Sequence, residues 1–570
     1  MKEEKEFVDF QNVKEIIKYS VSNFADCVAF TIKTKKENDV KYKKITYSDL
    51  NEDINALGTS LLSMGLKGKR VAIIGKNRYE WILSYITTLN GVGVAVPLDK
   101  GLPEQEIIYS LQRSKADIII FEEAMLDTIN KIKKEKNTNV STFILMDDAK
   151  KEGILNIKDL IAKGKKLMKK GHKEYINAEI DSNAMSVILF TSGTTSLAKA
   201  VMISHKNIAS NVAALKYEQP FCCTDTNIAF LPFHHMYGST CILLMLSAGT
   251  NNVFCDGLRH IQENLKEYKV SVFVCVPLIL EAMHKKIMQT VDQTGQRKKL
   301  EFGKKLSKFL LKLGIDARRK IFKTVLDGLG GEVRAIISGA APLNPEVSED
   351  FNAFGIYTSE GYGLTETAPV VSGENIHTMG HRSVGKPLCN VEVKIDSPND
   401  EGIGEVAVKG PNVMLGYYEN EEATNEVLKD GWFYTWDLGY YDEFGCLHIA
   451  GRQKSVIVLK NGKNIYPEEI EVLINRLPYV AENMVFGYPK DDDLVLSAKI
   501  VYNKDYFKKQ SQKEIEKKIW NDIKEINNNL TNYKHIKKII VTDEEMIKTT
   551  TAKVKRFEEI KKIVNADNIK

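Results

Sequence analysis

The residues best suited to chemistry begin with a short segment that is dense in hydroxyl groups. Residues 190–201 contain a run of candidate ligands: Thr191, Ser192, Gly193, Thr194, Thr195 and Lys199. Hydroxyls and turn amides donate hydrogen bonds to anions, and a lysine ammonium supplies a positive charge, so this composition predicts a polyphosphate loop. It is not a Walker loop, because that pattern needs lysine between Gly and Ser or Thr. A Ser/Thr-rich surface turn is the alternative interpretation of the segment alone.

Further segments place polar or small residues after apolar runs. They are Leu231–Gly238 with His234 and His235, Ile336–Leu343 with Gly339, Ala340 and Ala341, and Glu360–Thr367 with Tyr362, Thr365 and Glu366. Toward the C-terminus follow residues 431–439 with Asp437, 451–455 with Arg452 and Lys454, 460–465, and 548–556 with Lys553. Taken singly, a histidine pair is more often structural than catalytic, and a lysine in a basic tail is usually a solvated charge. Their order along one chain is therefore the stronger signal.

In that order the segments resemble the motifs of the adenylate-forming superfamily, which includes acyl-CoA synthetases, luciferases and peptide-synthetase adenylation domains. The first is similar to Thr-Ser-Gly-Thr-Thr-Gly-x-Pro-Lys-Gly, with Ser196, Ala198 and Ala200 at the positions of Gly, Pro and Gly. Residues 362–366 match Tyr-Gly-x-Thr-Glu completely. Residues 548–556 resemble Thr-x-Thr-Gly-Lys-x-x-Arg, with Ala552 in place of Gly. The resemblance extends from about residue 20 to residue 556.

The resemblance implies an ATP site. Lys199 and the hydroxyls would bind phosphates, while Gly339–Ala341 and Tyr362 would lie against adenine. Thr365 would lie near the α-phosphate, and Glu366 would be the Mg²⁺ ligand, since Mg²⁺ prefers oxygen donors. In the C-terminal motifs, Asp437 would accept the ribose hydroxyls, and Arg452 would bond ribose or phosphate oxygens.

The resemblance also implies two half-reactions at one site. Lys553 would serve adenylation, and Lys454 would be the hinge about which a small domain rotates. The polar turn of Lys460, Gly462, Lys463 and Asn464 would lie on the coenzyme A side during thioester formation. His235 would lie between the acyl pocket and the thiol tunnel, as a gating or orienting residue.

Alternating apolar strands and helical patterns predict an α/β fold with a largely parallel sheet. Leu50, Ile54, Leu57 and Leu61 recur at helical spacing after a capping-box-like start at Thr46. At 570 residues, two or more domains are expected. By resemblance these are a large N-terminal domain of layered sheets and helices (residues 1–452), a hinge (453–456) and a small, mobile C-terminal α/β domain (457–570). The lysine-rich residues 131–173 are expected to be a solvated excursion between elements.

Composition limits location and partners. The net charge of +5 is small for this length and does not indicate nucleic-acid binding. The 8 cysteines lack metal-ligand spacing, which is typical of free thiols in a reducing cytoplasm. Met1–Lys5 is charged with no apolar segment after it, so no signal peptide is expected. No stretch approaches the roughly 18 apolar residues of a membrane span, and a cytoplasmic protein is expected.

The basic segment 297–323 is a separate feature. Its lysines and arginines interleave with large apolar residues: Leu300, Phe302, Leu306, Phe309, Leu310 and Leu313. A solvated helix with one packed face is the simpler interpretation. A basic amphipathic face that makes peripheral contact with an anionic membrane is the sharper hypothesis.

The expected activity is ATP-dependent conversion of a carboxylate to acyl-AMP, then transfer to coenzyme A. Among family members, the resemblance is closest to medium- and long-chain fatty acyl-CoA synthetases. Two alternatives stay open: an acyl-AMP ligase that loads a carrier protein, and a non-catalytic nucleotide-binding regulator. The regulator is prompted by the small-residue replacements at Ser196, Ala200 and Ala552. The sequence does not determine acyl chain length or oligomeric state.

Overall fold

The structure is a computed structural model of the chain. It describes residues 6–36, 39–191, 199–376, 378–380, 382–459, 463–490, 493–508, 510–548 and 554–567. Helices and strands alternate along most of this length, which confirms the predicted α/β class.

Two compact units divide the chain. The larger consists of Met1–Thr191, Ala198–Val393 and Val408–Phe433, and the smaller contains Lys394–Ala407 and Tyr434–Lys570. A large N-terminal unit and a small C-terminal unit were both expected. The hinge at 453–456 stays a prediction, because a division by packing need not coincide with a division by motion.

The α-helices are α1 Val13–Phe24, α2 Tyr47–Leu62, α3 Tyr79–Thr87, α4 Glu104–Ser114, α5 Leu126–Glu135, α6 Ile157–Lys169, α7 His205–Glu218, α8 Met236–Ser247, α9 Ile261–Glu267, α10 Pro277–Gln293, α11 Arg297–Lys312, α12 Arg318–Ile321, α13 Lys323–Gly328, α14 Pro345–Ala353, α15 Glu421–Val427, α16 Pro467–Asn475, α17 Gln512–Asn527 and α18 Arg556–Asp567. Short 3₁₀ turns include Thr365–Thr367 and Gln453–Ser455, both within predicted site motifs. No helix among the described residues combines the length and apolar character needed to cross a membrane.

The strands are β1 Val28–Lys36, β2 Asp39–Thr46, β3 Lys69–Ile74, β4 Gly93–Leu98, β5 Ile118–Phe121, β6 Thr142–Leu145, β7 Leu155–Asn156, β8 Met185–Thr191, β9 Lys199–Ser204, β10 Thr226–Ala229, β11 Asn251–Phe254, β12 Val272–Cys275, β13 Ala335–Gly339, β14 Tyr357–Gly363, β15 Val370–Gly373, β16 Lys386–Pro387, β17 Glu392–Asp396, β18 Gly404–Lys409, β19 Gly416–Tyr417, β20 Leu428–Lys429, β21 Trp432–Tyr441, β22 Leu447–Arg452, β23 Ile457–Val458, β24 Asn464–Ile465, β25 Val480–Lys490, β26 Asp493–Tyr502 and β27 Lys538–Thr542.

Two large sheets organise the larger unit. One has the order β16-β15-β14-β13-β12-β10-β11-β1-β2, and the other has the order β19-β9-β8-β4-β3-β5-β6-β7. Their central pairings are parallel and buried, whereas β8 and β9 pair antiparallel around the predicted phosphate loop. Parallel strands covered on both faces read as continuous apolar runs, and Val71–Ile74 in β3 is such a run.

The expectation for residues 131–173 is wrong. Phe143, Ile144 and Leu145 of β6 are buried in the core, and α6 packs against α2. At the contact, a Cβ on Gly164 would lie 1.7 Å from the Ala56 carbonyl oxygen, so glycine permits this approach. Five of the 13 lysines in the segment lie on α6, away from its buried residues Ile157, Leu160 and Gly164, so a count of lysines hides the packed face of this helix.

The smaller unit has its own core. β25, β26 and β27 form a three-stranded sheet, and β23 pairs with β24. Apolar residues of α16 and α17 pack on that sheet, including Ile470, Ile474, Ile519 and Ile523. Helix α17 begins after Ser511, which forms a capping box with Glu514.

Candidate active site

The ends of the predicted phosphate loop are placed by a hairpin. Thr191 ends β8 and lies directly opposite Lys199, the first residue of β9. The Thr191 hydroxyl donates a hydrogen bond to the Lys199 carbonyl oxygen at 3.4 Å. Ser192, Gly193, Thr194 and Thr195 lie outside the described residues. The hairpin therefore places Lys199 at the end of an antiparallel strand pair.

Tyr417 joins the lysine of this loop to the predicted metal ligand. The Tyr417 hydroxyl donates to Glu366 Oε1 at 3.0 Å. The Lys199 ammonium lies 4.5 Å from the centroid of the same ring, within the range of a cation–π contact. Thus one aromatic side chain contacts both the ammonium and the carboxylate, which the sequence separates by 167 residues.

Strand pairing explains how Tyr417 reaches this place. β19 pairs antiparallel with β9, with Gly416 opposite Met202 and Tyr417 opposite Val201. Gly416 has φ +133°, and a Cβ there would lie 2.7 Å from Thr424 Cγ2, so the backbone bend before Tyr417 requires glycine. Tyr417 is not among the site residues predicted from the sequence. Its aromatic ring directly after a glycine was the available signal, although that pattern also occurs in structural turns.

Glu366 fits a magnesium site. It lies in the half-buried turn Thr365–Thr367, and its backbone carbonyl accepts a hydrogen bond from the Met414 amide at 2.8 Å. Thr367 is buried, and its hydroxyl donates to the Pro369 carbonyl at 2.6 Å, which fixes the turn. Among the described residues there is no group of three or more His, Cys, Asp or Glu able to hold a metal ion. A single carboxylate nevertheless suits Mg²⁺, which is commonly held by one or two carboxylates together with substrate phosphates.

The predicted adenine turn lies at the ends of two neighbouring strands. β13 and β14 are parallel, with Gly339 opposite Gly361. A Cβ on Gly339 would lie 2.8 Å from the Tyr237 hydroxyl, and Ala340 has φ +73°, a left-handed conformation. Ala340 and Ala341 are exposed. Tyr362 follows Gly361 directly, so the small-residue turn and the aromatic lie on adjacent strands.

Two half-buried glutamates, which are not among the predicted site residues, accept hydrogen bonds from backbone amides just after that turn. Glu360 Oε1 accepts the Leu343 amide at 3.1 Å, and Glu281 Oε1 accepts the Asn344 amide at 3.3 Å. Burial raises the pKa of Glu360 to about 8, the Leu343 amide opposes that rise, and Glu374 and Glu281 add to it. Glu360 would have been hard to find from sequence, because it reads simply as the residue before the Gly-Tyr-Gly motif.

His235 is the N-cap residue of α8 and is half-buried. Its amide donates to the Pro232 carbonyl at 3.1 Å, and its ring centroid lies 4.3 Å from that of His234. Burial lowers the pKa of His234 to about 4, with His235 contributing in the same direction and Asp99 opposing it. His234 therefore stays neutral at physiological pH.

In the smaller unit, the predicted ribose carboxylate and its basic neighbour face each other. Asp437 on β21 is paired with Arg452 on β22, and Arg452 Nε lies 2.7 Å from Asp437 Oδ1. The Asp437 side chain is 5% exposed and that of Arg452 is 53% exposed, so a buried carboxylate is neutralised by a cation that reaches solvent. Trp436 has φ +61°, a conformation that favours glycine.

The hinge and coenzyme A motifs are placed in part. Lys454 lies in the turn Gln453–Ser455, with its ammonium 5.4 Å from the centroid of Trp436. Asn464 begins β24 opposite Val458, and the Lys463 ammonium lies 4.4 Å from the Tyr533 ring centroid. Lys460 and Gly462 lie outside the described residues.

Lys553 also lies outside the described residues, but its flanks are anchored. Lys548 and Val554 form an antiparallel bridge, and the Lys555 amide donates to the Ile547 carbonyl at 2.8 Å. Just beyond, Arg556 pairs with Glu471 and donates to the Val485 carbonyl at 3.1 Å. Both ends of the segment are therefore fixed to the core of the smaller unit.

Comparison with known protein families finds two family models that match this chain. A family model described as AMP-binding enzyme matches residues 18–418, and one described as AMP-binding enzyme C-terminal domain matches residues 454–563. Since the first match alone covers more than half of the chain, the chain belongs to the AMP-binding enzyme family, as the motifs indicated.

The curated relatives of this chain include several fatty acyl-CoA ligases. The chain is 31% identical over 612 residues to long-chain-fatty-acid–CoA ligase 5 of Rattus norvegicus, with 97% of this chain and 87% of the relative covered. It is 30% identical over 513 residues to long-chain-fatty-acid–CoA ligase 1 of Homo sapiens, covering 82% and 70%. Fatty acyl-CoA synthetase A of Dictyostelium discoideum is 31% identical over 508 residues, covering 84% and 74%.

Solved structures share the fold over nearly the whole chain. ATP-bound MatB of Rhodopseudomonas palustris has a TM-score of 0.73 at 25% identity, covering 97% of this chain and 99% of that one. An anthranilate CoA ligase in complex with anthranoyl-AMP has a TM-score of 0.76 at 18% identity, covering 97% of both chains. The o-succinylbenzoate CoA synthetase of Bacillus subtilis, in complex with ATP and magnesium, has a TM-score of 0.71 at 22% identity, covering 95% and 98%.

Proposed function

We propose that this chain is an ATP-dependent ligase that converts a medium- or long-chain fatty acid to acyl-AMP, with release of pyrophosphate, and then to acyl-CoA. The observation that carries the proposal is the 31% identity to a long-chain-fatty-acid–CoA ligase over 97% of the chain. The contact of Lys199 and Glu366 with one tyrosine supports it, because it brings a cation and a carboxylate from distant motifs to one place.

The chemistry explains why ATP is needed. A carboxylate is a poor electrophile, since its negative charge repels nucleophiles and oxide is a poor leaving group. Attack of a carboxylate oxygen on the α-phosphorus forms a mixed anhydride, and the α–β phosphoanhydride bond breaks to release pyrophosphate. Negative charge that develops on the phosphoryl oxygens must be neutralised in the transition state.

The phosphates of ATP are bound by residues of the β8–β9 hairpin and of the turn after β14. Lys199 and the loop hydroxyls at Thr191–Thr195 bind the phosphates, and Thr365 donates its hydroxyl near the α-phosphate. Glu366 supplies an oxygen ligand for Mg²⁺, while Tyr417 holds that carboxylate. Bound Mg²⁺ supplies positive charge to the phosphate oxygens.

The nucleoside binds through the other motifs. Gly339, Ala340 and Ala341 admit the flat adenine, and Tyr362 lies against it. Asp437 accepts the ribose hydroxyls, with Arg452 beside it.

Thioester formation uses the same acyl group from a different side. The thiol of coenzyme A attacks the acyl carbonyl carbon, and the bond to AMP breaks. Lys553 holds the acyl carboxylate during the first step. Rotation about Lys454 then exchanges Lys553 for the turn that includes Lys460, Gly462, Lys463 and Asn464. His235 orients the acyl group between pocket and tunnel.

We place the protein in the cytoplasm, with peripheral contact to a membrane through segment 297–323. A long-chain acid partitions into lipid, so an enzyme that uses it gains access to substrate at a membrane surface. The support is the exposed apolar and basic character of α11.

The decisive experiment measures pyrophosphate release with carboxylates from acetate to oleate, plus aryl acids, with and without coenzyme A. We expect release that requires a medium or long chain and ends as thioester when coenzyme A is present. Pyrophosphate release without thioester formation would indicate a carrier protein as the acyl acceptor. No release with any acid would favour the alternative of a non-catalytic nucleotide-binding regulator.

The variant Lys553→Ala tests which of the two half-reactions uses this lysine. It should abolish pyrophosphate release but retain thioester formation from supplied acyl-AMP, because only the first step uses the ammonium. An equal loss in both steps would show that Lys553 has been assigned the wrong role.

A further inference from the structure

Helix α11 has two apolar faces, and only one of them is used in the described structure. Leu300, Gly303 and Ser307 are buried on the inner face. Phe302, Leu306 and Phe309, together with Leu313 directly after the last helical residue, recur at intervals of four, three and four residues, which places them along one side of the helix. They are 66%, 37%, 59% and 60% exposed. The stripe formed by these four residues, called here the α11 stripe, therefore faces solvent.

The inner face fixes the helix in place. Leu300 belongs to the apolar core around β12 and β13, and a Cβ on Gly303 would lie 3.2 Å from Ile321 Cγ2. Lys304 Nζ lies 2.5 Å from Asp350 Oδ1 on α14. Because α11 is anchored by both packing and an ion pair, its exposed stripe is a stable feature of the surface.

Lysines border the stripe. Lys298, Lys305 and Lys312 recur every seven residues and form a parallel line, and Lys299 and Lys308 extend the charge. All five are exposed, and in the described part of the chain none of them forms an ion pair. Lys304 differs, since Asp350 and Glu301 neutralise it.

We propose that the α11 stripe and its bordering lysines dock the enzyme on an anionic lipid surface. Large apolar side chains insert at the headgroup boundary, while the lysines meet the negative headgroups. A second copy of the chain is a poorer occupant, because two such faces in contact would bring their lysines together, and like charges across an interface cost free energy. This deepens the proposed function, on which it rests, by naming the surface and the partner.

The test is co-flotation of the full chain with vesicles of phosphatidylcholine alone, or mixed with phosphatidylglycerol. We expect binding to the mixed vesicles that weakens as salt rises. Lys298→Gln, Lys305→Gln and Lys312→Gln should each lower partitioning about fivefold. Phe302→Ser with Phe309→Ser should lower it at least about tenfold at every salt concentration, since apolar insertion is not screened.

Matched controls separate this surface from general effects. Lys513→Gln with Lys517→Gln on exposed positions of α17, and Phe444→Ser in an exposed turn, should leave flotation unchanged. Equal binding by wild type and the α11 variants would overturn the proposal. So would a change from dimer to monomer in the Phe302→Ser, Phe309→Ser variant without lipid, because the stripe would then be a protein interface.

Failure of docking is distinguishable from failure of the proposed function. Flotation needs no catalysis, and thioester formation from a medium-chain acid in free solution needs no vesicles. The α11 variants should lose vesicle binding but keep thioester formation from the medium-chain acid. If the wild type binds vesicles but activates no acid, the result would support the docking surface and contradict the proposed function.

Discussion

At the residue scale, the site depends on a few contacts that the motifs do not contain. Tyr417 donates a hydrogen bond to Glu366 and contacts Lys199, while Glu360 accepts the Leu343 amide beside the predicted adenine turn. The motifs supply the reactive groups, and these neighbours determine where the groups lie.

Tyr417→Phe tests the first of these contacts. The change removes one hydrogen bond to a carboxylate, a contribution of about 1.5–3 kcal/mol, and retains the ring under Lys199. We expect kcat/KM for ATP to fall at least about tenfold and the half-saturating Mg²⁺ concentration to rise. Steady-state kinetics over a Mg²⁺ series measures both.

Tyr418→Phe is the control for that variant. Tyr418 is the next residue, but its hydroxyl accepts from Arg70 at 2.8 Å and does not contact Glu366. It should leave the Mg²⁺ dependence unchanged. The same Mg²⁺ shift in both variants would mean a general loss of packing and would refute a positioning role for Tyr417.

At the element scale, secondary structure carries distant motifs to shared edges. β19 brings Tyr417 beside β9, and the β21–β22 pairing brings Asp437 opposite Arg452. In the smaller unit, α18 is joined to β26 by a buried pair, Lys499 with Glu559, whose side chains are 6% and 0% exposed. Glu559 Oε2 also accepts the Ile547 amide at 3.0 Å, just before the segment that contains Lys553.

Lys499→Met should destabilise this connection. Removing one partner of a buried pair leaves an uncompensated charge and costs roughly 3–5 kcal/mol. Hydrogen exchange by mass spectrometry should show lost protection in peptides that cover residues 493–502 and 556–567. Adding Glu559→Gln should restore part of it, because the amide oxygen can still accept from Ile547. Unchanged protection in the single variant would contradict the assigned role of the pair.

At the scale of the whole molecule, carboxyl groups with raised pKa values make stability depend on pH. Burial raises the pKa of Glu374 and of Glu218 to about 7, as it raises that of Glu360 to about 8. The folded state therefore binds more protons than the unfolded state between the unfolded pKa of about 4.3 and these folded values. The free energy of unfolding must then fall as pH rises through this window.

Glu360→Gln should remove one part of that slope. While wild-type Glu360 is protonated only in the folded state, it contributes a loss of about 1.4 kcal/mol per pH unit. The variant should gain stability relative to wild type from pH 5 to pH 8, with no gain at pH 4, in thermal melts across pH. Glu392→Gln, at an exposed position, is the control. A wild-type slope retained in Glu360→Gln would contradict the raised pKa.

The sequence by itself determined the secondary-structure class, the capped helix after Thr46 and the family motifs, because each of these depends on residues that are close together in the chain. The capped helix that begins at Tyr47 depends on neighbouring residues, and its prediction is confirmed, as is the predicted alternation of strands and helices. Family membership is likewise confirmed, because whole motifs such as residues 362–366 survive intact. The prediction for residues 131–173 is wrong, because a high lysine content does not reveal that β6 is buried and that α6 has one packed face.

Only the tertiary structure decided which side chains support the motifs and which face of α11 is exposed. Tyr417 and Glu366 are 51 positions apart in sequence, and their hydrogen bond exists because separate strands and turns converge. Phe302 and Leu300 are equally apolar, and burial against α12 and the surrounding core distinguishes them. Side-chain period predicts an amphipathic helix, but packing against the rest of the fold selects the buried face.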